Sequence, residues 1–177
     1  MQLQGSALSD ILSTSWERKL ANDLAADFET YTGERRPTVE EVRRFMAIKA
    51  YRGLLQRMHE AREGKESQEA LRSVAKAMRR YALERPALFA ATFRAPTTDT
   101  REWHAAVEQT RDFMLSVFAE CDLRGAAADQ ASRILWCIVR GFVLHEVVEP
   151  FCDPASYEES YDDAVRVFIA GLSSLDS

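Results

Sequence analysis

Residues 134–148 read Ile-Leu-Trp-Cys-Ile-Val-Arg-Gly-Phe-Val-Leu-His-Glu-Val-Val, a run that is interrupted only by Arg140, His145 and Glu146. Coiled as a helix, this run is apolar on nearly every face, and such a helix must be buried on more than one side. Its 15 residues are fewer than the roughly 20 that a membrane-spanning helix needs. We therefore expect the helix to contact the core of its own chain on one side and a second subunit on the other.

The composition of the chain is that of an ordinary globular domain. The 177 residues are 46% hydrophobic and 29% charged, with seven glycines and five prolines, which favours long helices. The net charge of −5 gives no sign of nucleic-acid binding by the chain as a whole. Cys121, Cys137 and Cys152 have no close spacing, so we expect neither a disulfide framework nor a cysteine metal site. Because no signal-peptide pattern is present, we expect a cytoplasmic protein without a membrane partner.

Apolar residues recur with the helical period along most of the chain and never with the two-residue period of a strand, so we predict an all-α fold of about seven to nine helices. Thr38 and Glu41 form a capping-box pattern, and Gly64, Pro86 and Gly125 mark helix ends. The six helices predicted after the N-terminal region cover approximately residues 38–61, 67–84, 86–93, 100–121, 126–149 and 156–172.

Two segments carry a family resemblance. Residues 71–93, LRSVAKAMRRYALERPALFAATF, resemble a segment of the ligand-binding domains of the TetR family of bacterial regulators, with its pattern (Y/F)-x-x-E-x-P-x-L-(Y/F). The residues that match this pattern are Tyr81, Glu84, Pro86, Leu88 and Phe89. Residues 134–146 resemble the W-x-x-x-H-G signature of one TetR C-terminal subfamily: Trp136 and Gly141 match, and Arg140 replaces the histidine. With the spacing of the last helix, the resemblance covers roughly residues 40–175.

The resemblance implies a transcriptional regulator in which residues 38–177 bind an effector and dimerise. The last two long helices of each subunit, about residues 126–149 and 155–174, would form a four-helix interface in a homodimer. The second apolar stripe of the penultimate helix supports this arrangement independently, since a helix that serves a core and an interface needs both. The predicted interface residues are Leu135, Val139, Phe142, Val143, Val147, Tyr161, Val165 and Phe168.

The resemblance also implies a pocket for a small hydrophobic effector among the helices that precede the interface. Apolar pockets with a few polar groups are the usual ligand sites, and the predicted lining residues are Met58, Phe89, Phe93, Trp103, Phe113, Met114, Phe118, Trp136 and His145. Core packing is the simpler explanation for any one of them, but as a set they are rich in Trp, Phe and Met. We find no nucleophile elbow, P-loop, dinucleotide turn or set of three metal ligands, so we expect no enzyme, cofactor or metal.

By the same resemblance, residues 1–37 would hold a helix-turn-helix. The segment after residues 20–24, Leu-Ala-Asn-Asp-Leu, has no glycine at the turn and no recognisable recognition helix, and the net charge of residues 1–37 is −2. The candidate phosphate contacts are Arg18, Lys19, Arg35 and Arg36. Two explanations stay open. Either the DNA-binding segment is strongly divergent, or the chain is a ligand-binding and dimerisation module that has lost DNA binding and acts through a partner protein.

Overall fold

The computed structural model describes residues 38–148 and 153–175, which form six α-helices and one 3-10 turn and contain no strand. In chain order these are α1 (Val39–Arg62), α2 (Ser67–Glu84), α3 (Pro86–Ala91), α4 (Arg101–Ala119), α5 (Gly125–Val148), α6 (Pro154–Ala170) and the turn Leu172–Leu175. The all-α prediction is confirmed, and the predicted helix ends lie within about two residues of those observed. The helices predicted for residues 1–37, which would complete the expected total, lie outside the described residues.

Local side-chain chemistry fixes where the helices begin. At the start of α1 the Glu41 N–H donates to Thr38 Oγ1 (3.2 Å) and the Thr38 N–H donates to Glu41 Oε2 (2.8 Å), so the predicted capping box is formed. At the start of α6 the N–H groups of Ala155 and Ser156 donate to Asp153 Oδ1 at 3.0 and 3.1 Å. These caps satisfy backbone donors that have no partner within the helix.

One large apolar core joins α1, α2, α4, α5 and α6. Its fully buried side chains include Leu54, Met58, Leu71, Met78, Met114, Phe118, Leu135, Val139 and Val165. A smaller cluster of Phe45, Met46, Ala50 and Leu88 packs the first half of α1 against α3. As a result, α3 is held beside α1, and the segment that follows α3 lies within reach of both α1 and α5.

A polar group at one end of the core fixes α5 and α6 relative to α2. The Tyr161 hydroxyl donates to the carbonyl oxygen of Ala75 at 2.7 Å, and the guanidinium of Arg79 lies 5.5 Å from the centre of the Tyr161 ring. Arg79 also makes two bonds to Glu146, 2.7 and 3.1 Å long, and both side chains are only 12% exposed. Because a buried ion pair with two parallel bonds tolerates little displacement, it sets the position of α5 against α2.

Candidate effector site and subunit interface

Aromatic rings from α5 and from the end of α3 surround the guanidinium of Arg140. The guanidinium carbon lies 4.8 Å from the centre of the Phe93 ring and 5.1 Å from that of Trp136. The Phe89 ring is stacked on Trp136 at 6.4 Å and meets Phe93 edge-on at 5.6 Å. We call Phe89, Phe93, Trp136 and Arg140 the Arg140 cluster. Cations are attracted to the faces of aromatic rings at such distances, so the rings hold the guanidinium in place.

The hydrogen bonds of Arg140 are few and long. Its Nη2 donates to the carbonyl oxygen of Thr92 at 3.4 Å, and the Tyr51 hydroxyl donates to the same oxygen at 3.3 Å. Both distances exceed the usual range for bonds of these types. The Nε of Arg140 is buried and has no acceptor among the described residues. Burial raises the pKa of Tyr51, against the opposing effect of the Arg140 charge, so this hydroxyl is a neutral donor at neutral pH.

Arg140 also differs from the other buried arginines in its charge environment. In residues 38–148 and 153–175 the arginines that are not exposed are Arg44, Arg62, Arg79 and Arg140. Arg44 pairs with Asp99, Arg62 with Glu120 and Arg79 with Glu146. Within the same residues no carboxylate pairs with Arg140. A partly buried charge without a counter-charge is costly, because it loses hydration and gains no ion pair.

The structure divides the nine predicted pocket residues into separate groups. Phe89, Phe93 and Trp136 come together in the Arg140 cluster. Met58, Phe113, Met114 and Phe118 are buried in the main core, where they contribute to the packing of α1 against α4. Trp103 is partly buried on the first turn of α4 beside His104, and its indole Nε1 has no acceptor among the described residues. His145 is exposed on α5.

Three clefts in the described part of the chain have volumes of about 310, 430 and 580 Å³. Charged and polar side chains make up most of their linings, including Lys76, Arg80 and Glu84 in the smallest and the largest, and Arg57 and Glu60 in the third. None of the nine predicted pocket residues lines these three clefts. Their polarity does not suit an apolar effector, and among the predicted pocket residues the Arg140 cluster is the group that joins apolar rings to a polar side chain.

The predicted interface residues also fall into two groups. Leu135, Val139, Val143, Tyr161 and Val165 are at most 5% exposed, since they fill the core of the single chain. These five contribute to the core of the single chain, and their part in a subunit contact stays a prediction. Phe142 and Phe168 are partly buried and meet Tyr161 and Phe118 edge-on, whereas Val147 is 38% exposed. Only these last three retain surface that a partner could cover.

A different stripe of α5 is exposed or only partly buried. Its members lie three or four residues apart, as one helix face requires, and they are Ile134, Cys137, Ile138, Gly141, Leu144 and His145. At the centre of the stripe, a Cβ added to Gly141 would meet no atom of another described element within 4 Å. On α6, Val167 is 64% exposed and shares a face with Ala164 and Gly171. We call these nine residues, of which Gly171 directly follows the last residue of α6, the open face.

The fold is that of an all-helical domain whose last two long helices, α5 and α6, pack against each other and against α2. Residues 71–168, from the start of α2 to near the end of α6, match the family of tetracyclin repressor-like C-terminal domains. The match spans more than half of the chain, and the chain therefore belongs to the TetR family. No curated protein matches the sequence.

Two further findings concern the described residues alone. No helix in residues 38–148 or 153–175 is both long enough and apolar enough to cross a membrane. The same residues contain no group of three or more His, Cys, Asp or Glu side chains placed to hold a metal ion.

Sequence reasoning did not identify Arg140, Tyr51 or Thr92 as site residues. One signal was available for Arg140. It lies in an apolar run with no acidic residue three or four positions away on either side, so its own helix offers it no ion pair. No comparable signal exists for Tyr51 and Thr92, because their proximity depends on how α1 and α3 pack.

Proposed function

We propose that this chain is a TetR-like transcriptional regulator, cytoplasmic and not catalytic, whose residues 38–177 bind a small, largely apolar effector and form a homodimer. The observation that carries the proposal is the family match over residues 71–168, since it covers both α5 and α6 and the helices that precede them. The Arg140 cluster supplies a candidate effector site, and the open face supplies a candidate interface. Both surfaces include residues of α5.

The open face supports dimerisation because it leaves apolar surface in water. Val167 and Leu144, both on the open face, are among the most exposed large hydrophobic side chains of the described residues, at 64% and 36%. Covering such surface is worth roughly 25 cal/mol per Å². Contiguous apolar patches on a soluble protein usually mark an interaction site. A two-fold symmetric contact would bring the same face of a second chain against this one.

The Arg140 cluster supports effector binding because it combines apolar rings with a small number of polar groups, which is the usual character of small-molecule sites. Phe89, Phe93 and Trp136 offer the apolar contacts. Arg140 offers hydrogen-bond donors. Because Trp136 belongs to the cluster, a ligand bound there would change the tryptophan fluorescence of the protein.

The oligomeric state tests the first half of this proposal. We expect the purified chain to sediment as a dimer at micromolar concentration and the Val167→Glu variant to sediment as a monomer. Glu158 is exposed on the same helix, so Glu158→Gln is a matched control that should leave the dimer intact. Circular dichroism should show the same helix content for all three proteins. A wild-type chain that stays monomeric at this concentration contradicts the proposal.

Residues 1–37, which lie outside the described residues, suggest a second candidate function. They include Arg18, Lys19, Arg35 and Arg36. Their net charge of −2 favours a ligand-binding and dimerisation module that has lost DNA binding and acts through a partner protein. Fluorescence anisotropy with the DNA upstream of the gene, at two salt concentrations, separates the two. For a DNA-binding regulator, the logarithm of the binding constant should fall with the logarithm of the salt concentration, with a slope of about −0.9 per phosphate contacted. The module should show no salt-sensitive binding.

A further inference from the structure

We propose that the effector is an organic acid, with a carboxylate that pairs with Arg140 and an aromatic or otherwise apolar body that packs on Phe89, Phe93 and Trp136. This inference rests on the proposed effector-binding function and names the chemical class of the ligand. It is carried by the charge environment of Arg140 and by the geometry of its unused donors.

Arg140 differs from the other arginines that are not exposed in having no carboxylate partner among the described residues. Arg44, Arg62 and Arg79 are, like Arg140, not exposed, and each has a carboxylate partner within the chain. Arg140 has none among the described residues. Since a guanidinium stays protonated even when partly buried, the site holds a positive charge that the described fold does not neutralise. An anion from outside the chain would supply the missing partner.

The hydrogen-bond donors of Arg140 are incompletely used within the described residues. Its Nε has no acceptor among residues 38–148 and 153–175, and its bond to the Thr92 carbonyl is 3.4 Å long. Because the Nε is buried, a carboxylate from outside would pair with the two terminal nitrogens, which form a planar edge that can hold both of its oxygens. The rings of Phe93 and Trp136 restrict the guanidinium, so less side-chain entropy is lost on binding. The Tyr51 hydroxyl lies next to Arg140, because both groups donate to the Thr92 oxygen.

The surrounding rings define the rest of the ligand. Phe89 is buried, whereas Phe93 is 37% exposed, so the cluster extends from the core to the surface. An aromatic body could stack on these rings while its acid group faces Arg140. A bare inorganic anion would use the charge and leave the rings without a partner. The combination favours an aromatic or apolar carboxylate over a small inorganic anion.

The test uses the full chain with matched neutral and acidic probes, namely 2-naphthoate with 2-naphthamide and octanoate with octanamide. Binding is measured by titration calorimetry, by tryptophan fluorescence and by the shift in Tm. The variants are Arg140→Met, which keeps the length of the side chain without its charge, and Arg72→Met, a control at an exposed arginine of α2.

We expect at least one acid to bind at least about tenfold more tightly than its amide, because a charge-assisted bidentate contact replaces an uncompensated charge. Arg140→Met should remove this preference and leave the Tm of the ligand-free protein unchanged or higher, since it removes a partly buried, unpaired charge. Arg72→Met should behave as the wild type.

Two results would overturn the inference. If the amides bind as tightly as the acids and quench tryptophan fluorescence, an apolar effector site exists but does not select acids, and the proposed function stands. If neither acids nor amides bind and Arg140→Met lowers the Tm by several degrees, Arg140 has a structural role at the end of α3. That second result also removes the effector site from the proposed function, while the sedimentation test of the dimer is unaffected.

Discussion

The replacement of Gly141 by alanine should stabilise the single chain and weaken a dimer. Glycine inside a helix is destabilising by roughly 1 kcal/mol relative to alanine. At Gly141 an added Cβ would meet no atom of another element within 4 Å among the described residues, so their packing does not require glycine at this position. We therefore expect Gly141→Ala to raise the free energy of unfolding of the monomer by about 1 kcal/mol.

The dimer should respond in the opposite direction. If α5 of a second subunit packs across Gly141, two-fold symmetry introduces the extra methyl group twice. Overpacking costs about 1–3 kcal/mol per site, so the dimer dissociation constant should rise by at least about tenfold. Sedimentation equilibrium measures this constant, and urea denaturation of the Val167→Glu monomer, with and without Gly141→Ala, measures the stability of the single chain.

Gly53 provides the contrasting case within the same chain. A Cβ there would lie 2.8 Å from the Tyr81 hydroxyl oxygen and 3.3 Å from two ring carbons, so the buried Tyr81 ring would have to move. Gly53→Ala should therefore destabilise the monomer by about 1–3 kcal/mol, despite its gain in helix propensity. A Gly141→Ala protein that dimerises as tightly as the wild type would refute the close approach of two α5 helices at this position.

Two further changes test the described core. Burial raises the pKa of Tyr81 from 10.0 to about 12, and its hydroxyl has no partner among the described residues. The folded chain should therefore lose stability as the pH rises from about 10 towards 12. In urea titrations Tyr81→Phe should remove this loss without lowering stability at pH 7. Glu146→Gln should cost about 3 kcal/mol, since it leaves the Arg79 charge buried beside a neutral amide. Equal urea midpoints for Glu146→Gln and the wild type would contradict the structural role of this pair.

The helix boundaries could be predicted because their causes are local. The capping box of Thr38 and Glu41 and the proline at residue 86 determine backbone geometry within one turn, whatever the rest of the chain does. The TetR resemblance came from similar short-range patterns, and the family match confirms it.

The choice of interface residues on α5 could not be made in the same way. Leu135 and Val139 face the core, whereas Ile134 and Ile138 lie on the open face, yet all four belong to one apolar run. Periodicity shows that such a helix has two apolar sides, but it does not show which side the chain itself covers. That depends on how α2 and α6 pack on α5, which involves residues far apart in the sequence.

The two surfaces of α5 are also adjacent in sequence, since Arg140 belongs to the candidate effector site and Gly141 is the centre of the open face. A rigid helix that serves two sites can couple them only if its position differs between the liganded and the free state, and such coupling is reciprocal. We expect an acid that binds the Arg140 cluster to change the dimer dissociation constant. Gly141→Ala should then change the affinity for the same acid by way of the dimer equilibrium. Calorimetric titrations of wild-type, Gly141→Ala and Val167→Glu chains with 2-naphthoate or octanoate, whichever binds the wild type, measure this effect. Equal affinities in monomer and dimer would show that α5 holds two independent sites, because a ligand that does not distinguish the two states cannot shift their equilibrium.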